Sequence, residues 1–277
     1  MPDALIRFRV LCVQIAKHFV KQNCLQMATA LSYQTLLALV PLVVLGLSLL
    51  TYVDAFYTLQ EDILFFLFDN FLPTTIAHAY DFLQDIVLNA EQLTYLGVGG
   101  LAITALLLFL SIERSFAQIW QSSATRNLFK RLFVYFLLIL LGPIGLSTSL
   151  TLFKWVSNLT EQASGLEISS YAGYFTFFIP FLLCFITFFL LYRLVPAAKV
   201  KWQHAAHGAA VAASLFVLGK QIFKLYLVYF PSYQVIYGAL AILPLFLIWL
   251  YFSWILVLLG AAITAVLGLE EKRNSQP

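Results

Sequence analysis

From Gln22 to Val53 the chain runs without one charged side chain, and from Leu93 to Ile112 it does so again. Such runs match or exceed the roughly 20 apolar residues that carry a helix across a bilayer, and no single water-soluble core would cover several of them. Reading the remaining apolar runs the same way predicts spans at about 27–53, 93–112, 132–155, 172–195, 205–229 and 236–267. Composition agrees: 62% of residues are hydrophobic and 10% charged, where a soluble domain carries about 45–50% and about 25%. The expected fold is an all-α membrane protein of about six transmembrane helices in one membrane domain over 1–277. The first run starts too late, and is too long and too weakly flanked, for a cleavable signal, so it is expected in the mature protein.

Cations give the orientation, because Lys and Arg resist translocation and collect on the cytoplasmic side. One set of span ends carries Arg7, Arg9, Lys17, Lys21, Arg114, Arg126, Lys130, Arg131, Arg193, Lys199, Lys201, Lys272 and Arg273. The opposite side includes Asp54–Gln92, which holds seven acidic residues and no Lys or Arg. Both termini are therefore expected in the cytoplasm, with 268–277 as a cytoplasmic tail. The net charge of +3 is the sum of two opposed layers, so it gives no argument for nucleic-acid binding, and the basic layer is expected to face anionic lipid. Cys12, Cys24 and Cys184 fall in the arm or within a span, without CxxC spacing, and disulfides are not expected.

Before the first span, residues 4–24 project onto a helix with Arg7, Gln14, Lys17, His18, Lys21 and Gln22 on one arc. Leu5, Phe8, Cys12, Ile15, Ala16, Phe19 and Val20 lie opposite, with Arg9 and Val10 off pattern. The arm 1–26 thus reads as a basic amphipathic helix in the headgroup layer, or as one packed on the protein's own cytoplasmic face, and the two are compatible. The acidic segment 54–92 is rich in Leu and Phe, and Pro73 divides it into 56–70 and 74–90, predicting two outer helices that cap the bundle. Pro41, Pro143, Pro180 and Pro244 fall in the first, third, fourth and sixth spans. If they break those helices, two three-span halves of inverted topology are suggested; the plainer reading is that proline is common in membrane helices.

Ionisable groups within a span are costly and mark function by default. Lys220 and Lys224 stand one turn apart in the fifth span, so they share a face. Three arrangements relieve the cost: pairing with Asp54, Glu61 or Asp69, an anionic ligand, or snorkelling to the surface. The tight link after this span, Phe230-Pro231-Ser232-Tyr233-Gln234, makes the fifth and sixth spans antiparallel neighbours. Tyr233, Gln234 and Tyr237 either satisfy backbone at the turn or line a cavity together with Tyr33 and Gln34 of the first span. Glu113 and Arg114, ahead of Ile119-Trp120, read as interfacial anchoring.

His204 and His207 stand at an i, i+3 spacing without a Cys or carboxylate partner in sequence, and GxSxG, Walker, HExxH and GxGxxG patterns are absent. No metal, cofactor or enzyme activity is expected.

The chain resembles the YihY/BrkB family of bacterial inner-membrane proteins, the UPF0761 group. The resemblance covers nearly the whole chain. It rests on Ala28-x-x-Leu31-Ser32-Tyr33 with Leu39-Val40-Pro41-Leu42, on Ser111-Ile112-Glu113 with Ile119-Trp120, on Gly142-Pro143, and above all on Phe230-Pro231-Ser232-Tyr233-Gln234-x-Ile236-Tyr237-Gly238-x-Leu240-Ala241. Where the family tends to read Gly-Ala-Glu near the end of its last span, this chain has Gly260-Ala261-Ala262, which argues against a mechanism needing a carboxylate there. The resemblance implies a multi-pass protein of the bacterial inner membrane. Members were once labelled ribonuclease BN, but phosphodiester hydrolysis needs metal ligands or an acid–base pair on a solvated basic surface. The residues favour a transporter or handler of anionic lipid or an envelope precursor. The alternative is a non-transporting scaffold or assembly factor. Membrane lipids are the expected partners, nucleic acid is not, and the sequence sets no oligomeric state.

Overall fold

A computed structural model describes residues 2–51, 95–122, 169–229 and 242–274. These residues form six helices and no strand: α1 (Pro2–Lys21), α2 (Cys24–Thr51), α3 (Tyr95–Ile119), α4 (Ser169–Leu194), α5 (Trp202–Tyr229) and α6 (Ile242–Asn274). Among the described residues, Trp202–Tyr226 of α5 and Leu243–Glu271 of α6 are long and apolar enough to cross a membrane. The predicted outer helices and the span at 132–155 lie outside the described residues.

Helix α6 is the central pillar. It packs against α5 and α2 along much of its length, and more locally against α1, α3 and α4, while α4 packs on α5 and α2 on α3. Helices α5 and α6 run antiparallel, since Gly208 meets Gly260 and Thr264 at one end of the contact and Phe223 meets Trp249 further along. Small residues make the approach close. Ala205, Ala209, Ala212 and Ala213 of α5 and Ala261, Ala262 and Ala265 of α6 are all buried. A β-carbon on Gly208 would sit 2.5 Å from the Gly260 carbonyl oxygen and would collide with Thr264 Oγ1. In lipid, where hydrocarbon competes equally for apolar side chains, such close backbone approach and its van der Waals gain hold helices together.

An aromatic chain extends the core beyond this contact. Phe116 of α3 stacks on Trp120 at 5.6 Å and lies 6.2 Å from Tyr192 of α4. Tyr192 stacks on Phe188, which meets Phe216 of α5 edge-on at 5.7 Å, and Phe216 reaches Trp249 of α6 at 5.6 Å. These rings are large apolar bodies with preferred offset and edge geometries, so they fix helix rotation as well as separation. The hydroxyl of the fully buried Tyr192 donates to the Val257 carbonyl at 2.8 Å. Polar side chains inside the helices bond back to their own turns: Thr35 to Leu31, Ser115 to Ser111, Ser253 to Trp249 and Thr264 to Gly260. That habit satisfies a hydroxyl without water.

One expectation changes. Helix α2 continues through Pro41 and α4 through Pro180, and Pro244 lies within the described part of α6. These prolines do not break their helices, and the inverted-repeat reading loses its support from them; Pro143 lies outside the described residues. Residues 268–274 of the predicted tail are helical, since α6 continues to Asn274.

The C-terminal end of α3 is sharply defined. Gln121, at φ 49°, closes α3 with Ser122 N–H donating to Ala117 at 3.0 Å and Gln121 N–H to Gln118 at 3.1 Å. This double bond pattern needs a left-handed residue, usually Gly. Gln121→Gly is expected to stabilise the purified protein by about 1 kcal/mol, seen as a higher melting midpoint in detergent. In contrast, the Gly260→Ala β-carbon would lie 2.7 Å from the Ala212 methyl, and a loss of about 1–3 kcal/mol is expected from overpacking.

Candidate functional site

The two lysines occupy the border of the packed face of α5. They continue the stripe of buried Ala213 and Val217 at helical spacing. Lys220 is half-buried and close enough to Cys184 of α4 to act on it electrostatically, whereas Lys224 is exposed. The same helix shows Leu218, Ile222 and Leu225 outward. Lys220 thus sits at a seam between α5 and α4, beside an apolar outer surface.

The other predicted site residues divide. Tyr33 is 58% exposed, while its neighbour Gln34 is partly buried with Oε1 lacking a hydrogen-bond partner. One residue along a helix is about 100° of rotation, so the two side chains leave α2 in different directions. Beside Gln34, Thr35 Oγ1 accepts from Trp254 Nε1 at 2.9 Å, tying α2 to α6. Because α2 packs on α3 and α6 while α5 packs on α4 and α6, Tyr33 and Gln34 lie across α6 from the lysines. Tyr233, Gln234 and Tyr237 lie outside the described residues.

The basic end of the bundle holds what the sequence reading missed. Helix α1 packs on α6 and α2, and it does so with part of its polar arc inward. His18 Nε2 lies 2.9 Å from the Ile119 carbonyl, so this nitrogen carries the proton, and Gln118 Nε2 donates to the Gln22 carbonyl at 2.8 Å. Two helix C-termini therefore exchange side-chain caps, each covering a carbonyl that its own helix leaves over. The outward face carries Ile6, Val10, Val13 and Val20 among Arg9, Lys17 and Lys21. An amphipathicity plot sees a polar arc but not whether carbonyls or water will face it.

Beyond the α4 C-terminus, Pro196 and Val200 are buried and lead to Lys201. Lys201 Nζ bonds Glu271 Oε1 at 2.5 Å, and His204 Nε2 lies 3.6 Å from Glu271 Oε2. The hydrogen bond from Lys201 holds the Glu271 carboxyl below its ordinary value, assisted by the charges of Lys201 and His204. The sequence showed these groups as scattered charges 70 residues apart. Among the described residues, no group of three or more His, Cys, Asp or Glu could hold a metal ion.

Residues 15–277 match the family model described as Virulence factor BrkB. The chain belongs to the BrkB family. Relatives over nearly full length are named as UPF0761 membrane proteins. One from Aggregatibacter aphrophilus is 37% identical over 95% of this chain and 94% of its own. Another from Coxiella burnetii is 39% identical over 93% and 94%, and one from Idiomarina loihiensis is 37% identical over 89% and 86%. No solved structure matches. BrkB-family membership and these relatives make the chain a membrane protein, in keeping with its apolar helices.

Since the folded Glu271 carboxyl titrates below its unfolded value, its stabilising pair is present above the ordinary carboxylate range and is lost as pH falls through the depressed value. Glu271→Gln is expected to lower the melting temperature slightly at neutral pH, a small effect as fits an exposed pair, and to converge with the wild type in acid, so that the acid limb is shallower. His18→Ala is expected to cost about 1 kcal/mol and to speed proteolysis between α1 and α2.

Proposed function

We propose that this BrkB-family protein handles an anionic lipid or envelope precursor at the bacterial inner membrane. It moves or presents that molecule without chemical conversion, as a multi-pass chain with both termini in the cytoplasm. The observation that carries the reading is Lys220, a cation half-buried at the α4–α5 seam with Lys224 one turn on. Two ammonium groups one turn apart on one face suit a phosphate or carboxylate held between them. The apolar residues beside it, Leu218 and Ile222, suit the hydrocarbon part of the same molecule. Orientation is supported by Arg193, Lys199, Lys201 and Arg273, which stand at the end of α4, at the start of α5 and at the end of α6. Gln34, with its buried unpartnered oxygen, is a second candidate contact on the far side of α6.

The test is mass spectrometry of lipids and metabolites that co-purify with the intact protein, compared with Lys220→Met and Lys224→Met. One anionic species enriched in the wild type and reduced several-fold in folded Lys220→Met is the expected result. A bulk-lipid profile unchanged by either substitution overturns the reading and leaves a scaffold or assembly factor in its place.

A further inference from the structure

At the basic end, the α4–α5 link, the first turn of α5 and the last turns of α6 enclose a cavity of about 250 Å³. Its walls differ in character. Val200, Ala265, Leu269 and Trp120 give the lining an apolar part, and Lys199, Lys201 and His204 a basic part. Glu271 also reaches the wall, but its carboxylate is already engaged by Lys201 and faces His204. Two lysines against one carboxylate leave the lining net positive. The side chain of His204 is only 16% exposed, so it belongs to the wall rather than to solvent. Helix α5 begins at Trp202, and the N–H groups of its first turn add a partial positive charge on the basic side.

Size narrows the occupant. At roughly 30 Å³ per water, the space holds about eight water volumes, enough for a phosphate and a few carbons but not for an acyl chain. Gly268 keeps it open: a β-carbon there would lie 3.7 Å from His204 Nδ1, in ordinary contact, so a longer side chain would occupy the cavity.

We propose that this cavity is a phosphate-recognition site, taking the head of an anionic lipid or a soluble phosphate ester at the membrane edge. The phosphate lies against Lys199, Lys201 and the start of α5, and the attached carbons lie against Trp120 and Leu269. The site deepens the proposed function by naming phosphate as the recognised group, and it rests on that reading for its membrane-edge setting. It is separate from the lysine seam, since His204 and Lys220 are 16 residues apart on one helix, about 24 Å.

The full chain in detergent is titrated with dihexanoyl phosphatidic acid, dihexanoyl phosphatidylcholine, glycerol 3-phosphate and inorganic phosphate, reading bound adducts by native mass spectrometry. Lys199→Met removes a wall charge, and Gly268→Leu fills the space without changing charge; Gly268→Val is the smaller filling should the leucine variant fail to fold. Expected is binding of at least one phosphate monoester probe, weakened tenfold or more by Lys199→Met and by the filling variant. Phosphatidic acid bound in preference to glycerol 3-phosphate assigns a lipid head, and the reverse assigns a soluble ester; either supports the site. Binding unchanged in both cavity variants, or phosphatidylcholine bound as well as phosphatidic acid, overturns it. Loss of co-purified lipid in Lys220→Met alone, with phosphate binding indifferent to the cavity variants, would refute this site and leave the proposed function standing.

Discussion

Where α5 crosses α6, two glycines let the backbones approach until the Gly208 and Gly260 carbonyls lie within reach of the opposite helix's side-chain space. Other described contacts are arranged around that crossing. Tyr192 inserts its hydroxyl toward Val257 beside Gly260, which fixes α4, and the aromatic chain from Phe116 to Trp249 then sets the rotation of α3, α4, α5 and α6 together. In a solvent of hydrocarbon tails the gain comes from dispersion and from satisfied polar groups, since apolar burial itself is nearly neutral there. The threonines and serines that bond to their own turns follow from the same constraint.

At the basic end the constraint changes from packing to carbonyls and charges. Helix ends stop there, and each leaves carbonyls that need donors. His18 and Gln118 supply them across the α1–α3 contact. Lys201, His204 and Glu271 join the start of α5 to the end of α6. The cavity beside them is lined by the α4–α5 link, Gly268 and Trp120. Polar groups that clasp the helices together thus also furnish the basic part of that cavity's lining.

The sequence foretold the described helices well. Charge-free runs such as 22–53 and 93–112 became parts of α2 and α3 because nothing in them competes with helical hydrogen bonding in an apolar solvent. It foretold less about their ends: α3 carries on past Ile112 through Glu113 and Arg114 to Ile119, and α6 reaches Asn274, since a helix need not stop where lipid does. The proline argument failed at Pro41 and Pro180 because one lost hydrogen bond does not end a helix held on both sides by neighbours.

By itself, the sequence determined helix content, the apolar character of the chain, its family, and the two lysines as charges in an unfavourable place. Those properties follow from residue type and spacing along one helix. Tertiary structure decided that Tyr33 faces outward while Gln34 faces inward, that part of the α1 polar arc caps other helices, and that Lys201, His204 and Glu271 form one group beside a cavity. Each depends on which face of one helix meets another, and that choice is made by the fit of small residues at Gly208 and Gly260, a property of paired surfaces rather than of either sequence segment alone.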